Sequence, residues 1–119
     1  MSVLDLHRTW FWVATITTGG VGVWGLVLHL RKIAPTPSFT WGRGIAITAM
    51  LVQVGLGLIL YARDLRPDAF HVFYGMVILF ALSFAYIYRP TLAKKPALAY
   101  GLLLLFVMGL GLRAYANVG

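Results

Sequence analysis

The chain has no cysteine and no glutamate, and only three aspartates stand against ten lysines and arginines. Without cysteine there can be no disulfide, zinc–thiolate site, iron–sulfur cluster or thiol nucleophile. The sequence also lacks a Ser-His-Asp arrangement, a phosphate-binding loop, an HExxH motif and a pair of carboxylates within an apolar segment. Hydrolysis and metal catalysis therefore lack their usual groups, and we expect no catalytic activity of the chain's own.

Charge is scarce throughout the chain. Only 11% of its 119 residues are charged, whereas 61% are hydrophobic. An average soluble domain is about a quarter charged, and a small domain exposes a larger share of its residues than a large one. The composition predicts a membrane protein whose net charge of +7 faces lipid headgroups, with no nucleic-acid partner.

Four apolar segments are long enough to cross a bilayer, which takes about 20 residues as a helix. They cover residues 9–30, 44–62, 69–88 and 96–115. The first segment is too long for a cleaved signal peptide, and its basic residues lie mostly after the apolar run. Prolines fall in the three short connections, where a missing N–H does not harm a helix. We expect an all-α, four-transmembrane-helix bundle forming one integral membrane domain over residues 1–119.

The distribution of basic residues predicts the orientation. The connections over residues 31–43 and 89–95 carry six basic residues and no acid, whereas the other end carries four arginines and three aspartates, a net +1. Because cytoplasmic loops hold the excess of lysine and arginine, both termini should face outward. The predicted location is a bacterial inner membrane.

Small and hydroxylated residues form one stripe of the first span: Phe11, Thr15, Thr18, Gly22 and Gly25 recur every three or four positions. Such a stripe allows close approach of a neighbouring helix in lipid. The alternative is a face that packs against a planar cofactor.

Gln53 lies near the middle of the second span. Its amide needs a hydrogen-bond partner in hydrocarbon, and Thr15, Thr18 or Ser83 could supply one across a helix interface. The functional alternative is the carbonyl of a quinone or a pigment.

Two of the three histidines lie at the same predicted membrane edge. His7 precedes the first span and His71 is about one turn into the third, and in a four-helix bundle these two helices can face each other across the core. Two neutral imidazoles on facing helices can be the axial ligands of a haem iron. His29 lies 22 residues after His7, about 33 Å along the helix, and is excluded from the same site.

Further residues could complete such a site. Gly75, one turn after His71, would let a ring approach the backbone, and the adjacent Tyr74 is a further candidate cofactor-binding residue. Arg8 and Arg66 could pair with propionates. The alternatives are ordinary for membrane helices: the arginines contact headgroups, and His71 hydrogen-bonds to a headgroup, a loop carbonyl or Tyr74.

The segment Asp68-Ala69-Phe70-His71-Val72-Phe73-Tyr74-Gly75 resembles the His-x-x-Tyr-Gly pattern of small uncharacterised four-helix bacterial membrane proteins. More distantly, the chain resembles the haem b bundles of the cytochrome b561 and haem A synthase type, which have a histidine at the outer end of their first and third helices. The second resemblance implies haem ligation by His7 and His71. A fourth histidine is missing, so it implies one haem rather than two.

These observations predict a small subunit or accessory factor of a larger membrane complex, surrounded by lipid and in contact with other membrane subunits. It would bind one haem b-like macrocycle near the outer face and take part in electron transport. Two alternatives stay open: a cofactor-free structural or assembly protein, and a quinone- or pigment-binding subunit.

Overall fold

The computed structural model describes residues 2–64 and 67–117. Its described part consists of helices and their connections, which confirms the all-α prediction. The long helices are α1 (Val3–Leu30), α2 (Pro37–Ala62), α3 (Ala69–Ile87) and α5 (Pro96–Ala116), and α4 (Arg89–Leu92) is a single short turn. Each long helix is apolar and long enough to cross a membrane, so the protein is a multi-pass membrane protein.

Two helices extend well beyond their apolar runs. The helix α1 begins at Val3 because Ser2 caps it: the Ser2 hydroxyl accepts a hydrogen bond from the Asp5 amide, and the Asp5 carboxylate accepts one from the Ser2 amide. The helix α2 begins at Pro37, a residue suited to a first helical turn. The predicted connection over residues 31–43 is therefore wrong in length, since residues 37–43 are helical, and the one over residues 89–95 contains α4.

The helices pack unequally. The helix α1 packs along both α2 and α5, and α3 packs chiefly on α5, whereas α2 and α3 touch over a small area. In the described residues no Cα of α1 comes within 8 Å of a Cα of α3. The first and third long helices are therefore diagonal across the bundle, with a shared core between them made of Ala14, Ala49, Met50, Ile78, Leu82, Val107 and Leu110.

The closest helix packing is between α1 and α5. A Cβ built on Gly25 would lie 2.6 Å from the carbonyl oxygen of Ala97, and one on Gly101 would lie 3.0 Å from the carbonyl oxygen of Gly22. The stripe predicted on the first span is thus a packing surface against α5, with Phe11, Gly22 and Gly25 among its buried members. The helix α5 occupies this face at Gly22 and Gly25, where the alternative placed a planar cofactor.

Candidate functional site

The structure brings the side chains of His7 and His71 together at one end of the bundle, which we call the histidine end. His7 is in the second turn of α1, and His71 is in the first turn of α3. Their ring centroids are 6.2 Å apart and their planes are inclined by 74°. Because α1 and α3 are diagonal, the two rings meet across the interior of the bundle rather than along one helix interface.

His71 is held by a hydrogen bond to the last helix. Its Nδ1 lies 2.6 Å from the carbonyl oxygen of Ala114 on α5. A carbonyl oxygen can only accept, so Nδ1 carries the proton and donates it. In the neutral ring Nε2 is then unprotonated and has a free lone pair, the same arrangement as in metal-binding histidines whose other ring nitrogen donates to a backbone carbonyl.

His7 is held through its backbone and its surroundings. The side-chain amide of Gln53 on α2 donates a 2.8 Å hydrogen bond to the His7 carbonyl oxygen. Gly57, one turn further along α2, faces the ring: a Cβ there would lie 3.3 Å from His7 Cε1. The imidazole therefore occupies space that α2 leaves by having no side chain at Gly57.

Two buried polar atoms on these residues have no protein partner. They are Nδ1 of His7 and Oε1 of Gln53, which are inaccessible to solvent and make no hydrogen bond within the described chain. Buried polar side-chain atoms are satisfied in the large majority of cases, and exceptions are enriched at functional sites. The histidine end thus combines two imidazoles with polar atoms that the protein leaves unpaired.

The prediction for the partner of Gln53 was wrong. Its partner is the His7 backbone, whereas the Thr18 hydroxyl donates to the Ala14 carbonyl oxygen within its own helix at 2.7 Å. Ser83 is exposed. Gln53, Gly57 and Ala114 were all missing from the predicted site, and only Gln53, as a polar residue at depth, carried a sequence signal.

The remaining residues predicted for the site are Tyr74, Gly75, Arg8 and Arg66. Tyr74 packs against the shared core and contacts the Phe73 ring, with centroids 5.5 Å apart. A Cβ on Gly75 would meet nothing within 4 Å, so the backbone of α3 is open beside it. Arg8 is exposed, and Arg66 lies outside the described residues.

The histidine pair is not a protein-only metal site of the usual kind. Among the described residues, no group of three or more histidine or acidic side chains could surround a metal ion. Structural and catalytic metal sites take three or four protein ligands. Two imidazoles can hold a metal firmly only where something else supplies the remaining ligands, as the four nitrogens of a porphyrin do.

Two surface grooves lie away from the histidine pair. A groove of about 630 Å³ runs between α1 and α2 and is walled by apolar and small side chains, including Trp10, Trp41 and Gly44. A second, of about 390 Å³, lies at the opposite end of the bundle beside His29. Neither is lined by His7 or His71.

Comparison of the chain with models of protein families, with curated proteins and with solved structures finds no match.

Proposed function

We propose that this protein binds one haem b at its histidine end and serves as a small subunit or accessory factor of a membrane electron-transfer complex. The observation that carries the proposal is the 6.2 Å separation of the His7 and His71 ring centroids. A metal–imidazole bond is about 2 Å long, and a ring nitrogen lies roughly 1 Å from its centroid, so an iron between two imidazoles needs centroids about 6 Å apart. His7 and His71 are therefore separated by the distance that two imidazoles would need to hold a haem iron between them.

The protein's own residues have separate tasks in this proposal. The Ala114 carbonyl fixes the proton of His71 on Nδ1 and leaves Nε2 for iron. Gln53 anchors the α1 backbone at His7. Gly57 leaves the His7 ring its space, and the open backbone at Gly75 lets a flat ring approach α3.

The coordination state indicates the class of function. A bound haem would supply an iron that can gain and lose one electron, and His7 and His71 as its two protein ligands would leave no open position for oxygen or a substrate. Such a site passes electrons rather than transforming a bound molecule. One haem cannot by itself carry an electron across the bilayer, so a partner subunit with its own redox group completes the path.

A quinone or pigment subunit is supported less well. A quinone carbonyl needs hydrogen-bond donors. His71 donates its Nδ1 proton to Ala114, and Gln53 donates one of its two amide protons to His7. The donors that remain for a quinone are the second Gln53 proton and His7 Nδ1 in the tautomer that carries the proton there. The buried atoms left unpaired on Gln53 and His7 include an acceptor, Oε1, which a carbonyl ligand cannot satisfy.

The proposal is tested by the visible spectrum of protein purified from cells supplied with haem. We expect a Soret band that His71→Ala abolishes and that His7→Ala shifts from six-coordinate towards five-coordinate iron. His29→Ala is the matched control, since His29 is at the opposite end of α1 and should leave the spectrum unchanged.

The oxidised protein offers a second readout. Imidazole planes inclined by 74° are closer to perpendicular than to parallel. We expect the strongly anisotropic low-spin ferric signal of nearly perpendicular axial imidazoles in electron paramagnetic resonance. Absence of a Soret band, or a band that survives the loss of both His7 and His71, would overturn the haem proposal and leave the cofactor-free accessory protein as the better reading.

A further inference from the structure

The groove at the end opposite the histidine pair combines positive charge with apolar walls. It lies between the connection that follows α1 and the start of α5 and has a volume of about 390 Å³. His29, Lys32 and Lys95 contribute its polar lining, and Leu28, Ile33 and Leu98 form apolar walls. Because it lies where two transmembrane helices end, it lies at the level of lipid headgroups.

Lys32, which lines the groove, has a strained backbone conformation. After α1 the Ile33 amide donates to the Leu28 carbonyl oxygen at 2.9 Å, and the Lys32 amide donates to the His29 carbonyl oxygen at 3.1 Å. This pair of hydrogen bonds is a Schellman motif, which puts Lys32 in the left-handed region at φ 56°. Glycine is the usual residue there because a Cβ costs conformational energy, so a lysine at this position lowers local stability.

The two lysines of the groove have no counter-charge. All three aspartates, Asp5, Asp64 and Asp68, lie at the histidine end of the bundle. In the described residues the side chains of Lys32 and Lys95 make no hydrogen bond or ion pair.

Two further features concern the positive charge at this end of the bundle. The Arg43 guanidinium lies over the Tyr100 ring, 4.0 Å from its centroid, so that cation already has a protein contact. No side chain caps the start of α5 at Lys95, so the positive end of that helix dipole adds to the charge of the groove.

We propose that this groove binds the phosphate of an anionic phospholipid such as phosphatidylglycerol. Lys32 and Lys95 bind the phosphate, and the upper parts of the acyl chains lie along Leu28 and Leu98. Basic pockets between membrane helices have this preference because each lysine near the surface contributes attraction to an anionic headgroup. The site is independent of the histidine end and of any cofactor bound there.

Native mass spectrometry of the detergent-solubilised protein, with phosphatidylglycerol or phosphatidylcholine added at equal concentration, tests the proposal. We expect phosphatidylglycerol to be retained in preference to phosphatidylcholine. Lys32→Gln and Lys95→Gln should each weaken retention about fivefold, the effect of one surface lysine. Lys94→Gln is the matched control: it removes the same charge from the adjacent position, which does not line the groove.

Lys32→Gly removes the lysine side chain and relieves the backbone strain, so its effects on lipid retention and on stability should have opposite directions. Glycine suits the left-handed position, so this variant should unfold at a higher temperature without lipid while retaining less phosphatidylglycerol. Equal losses from Lys94→Gln and Lys95→Gln, or equal retention of the two lipids, would overturn the proposal. Inorganic phosphate that displaces phosphatidylglycerol at a similar concentration would show that the groove recognises a free phosphate and not a lipid.

Discussion

At the histidine end, side chains are positioned by hydrogen bonds and also by the space that a glycine leaves for a neighbouring ring. Gly57 has no side chain where the His7 ring lies, and nothing within 4 Å faces Gly55, two residues earlier on the same helix. A Cβ at Gly57 would be 3.3 Å from His7 Cε1, closer than ordinary van der Waals contact, so the ring would have to move by a few tenths of an ångström. The geometry of a cofactor ligand has to be held to within about 0.5 Å, so a displacement of this size uses up most of that tolerance.

Gly57→Ala is therefore expected to weaken haem binding about tenfold, the lower end of the effect of disturbing a group that orients a metal ligand. Haem titration followed at the Soret band measures it. Gly55→Ala is the matched control, because it makes the same change on α2 in open space. Equal affinities of the two variants would show that Gly57 does not position His7.

At the scale of helices, the interface of α1 with α5 carries the closest packing in the bundle. Gly25 approaches the Ala97 carbonyl oxygen and Gly101 approaches the Gly22 carbonyl oxygen, so the two backbones come close together there, and the Leu105 side chain packs onto Gly22. In lipid this packing, with its van der Waals contacts, replaces the hydrophobic effect as the source of helix association. The interface extends to the histidine end, where Phe11 stacks on Tyr115 with centroids 4.7 Å apart.

Gly25→Ala should destabilise the bundle by about 1 to 3 kcal/mol, the usual cost of overpacking. The new Cβ would be 2.6 Å from a backbone oxygen, which cannot move aside as a flexible side chain can. Thermal unfolding in detergent measures the change. Gly20→Ala on the same helix meets nothing within 4 Å and should stabilise the protein by up to about 1 kcal/mol through helix propensity. A bundle that tolerates both substitutions equally would contradict the close packing of α1 and α5.

At the scale of the whole molecule, charge separates the two ends. Six basic residues without an acid lie in and beside the connections at the His29 end, and the three aspartates lie at the histidine end. The bias predicts that the His29 end is cytoplasmic, because lysine and arginine are retained on that side during insertion. The histidine pair would then lie near the outer face.

Cysteine labelling tests this orientation without background, because the chain has no cysteine of its own. Thr36→Cys lies in the connection before α2 and should react with a membrane-impermeant maleimide only when the cytoplasmic side is open. Asn117→Cys, just after α5, should react in intact cells from outside. The reverse labelling would place the histidine end in the cytoplasm.

The failed prediction for Gln53 shows where sequence reasoning stopped. The sequence offers the polar side chains of Thr15, Thr18 or Ser83 as partners for the Gln53 amide. In the structure the packing of α1 on α2 places the His7 carbonyl oxygen beside Gln53 instead. The helix α2 also begins at Pro37 rather than at residue 44. Hydropathy marks where lipid ends, not where the helix ends, because capped and proline-initiated turns continue into the headgroup region.

Composition and hydropathy alone determined that the chain is a membrane protein, that four helices cross the bilayer, and that His7 and His71 lie at one end with His29 at the other. These properties depend only on segment lengths and on the alternating direction of consecutive helices. The tertiary structure decided that α1 and α3 are diagonal, that Ala114 and Gln53 hold the two histidines, and that Lys32 and Lys95 share a groove. In lipid the exposed and buried faces of a helix are both apolar, so polarity does not indicate which face packs on which neighbour, and only the three-dimensional arrangement decides it.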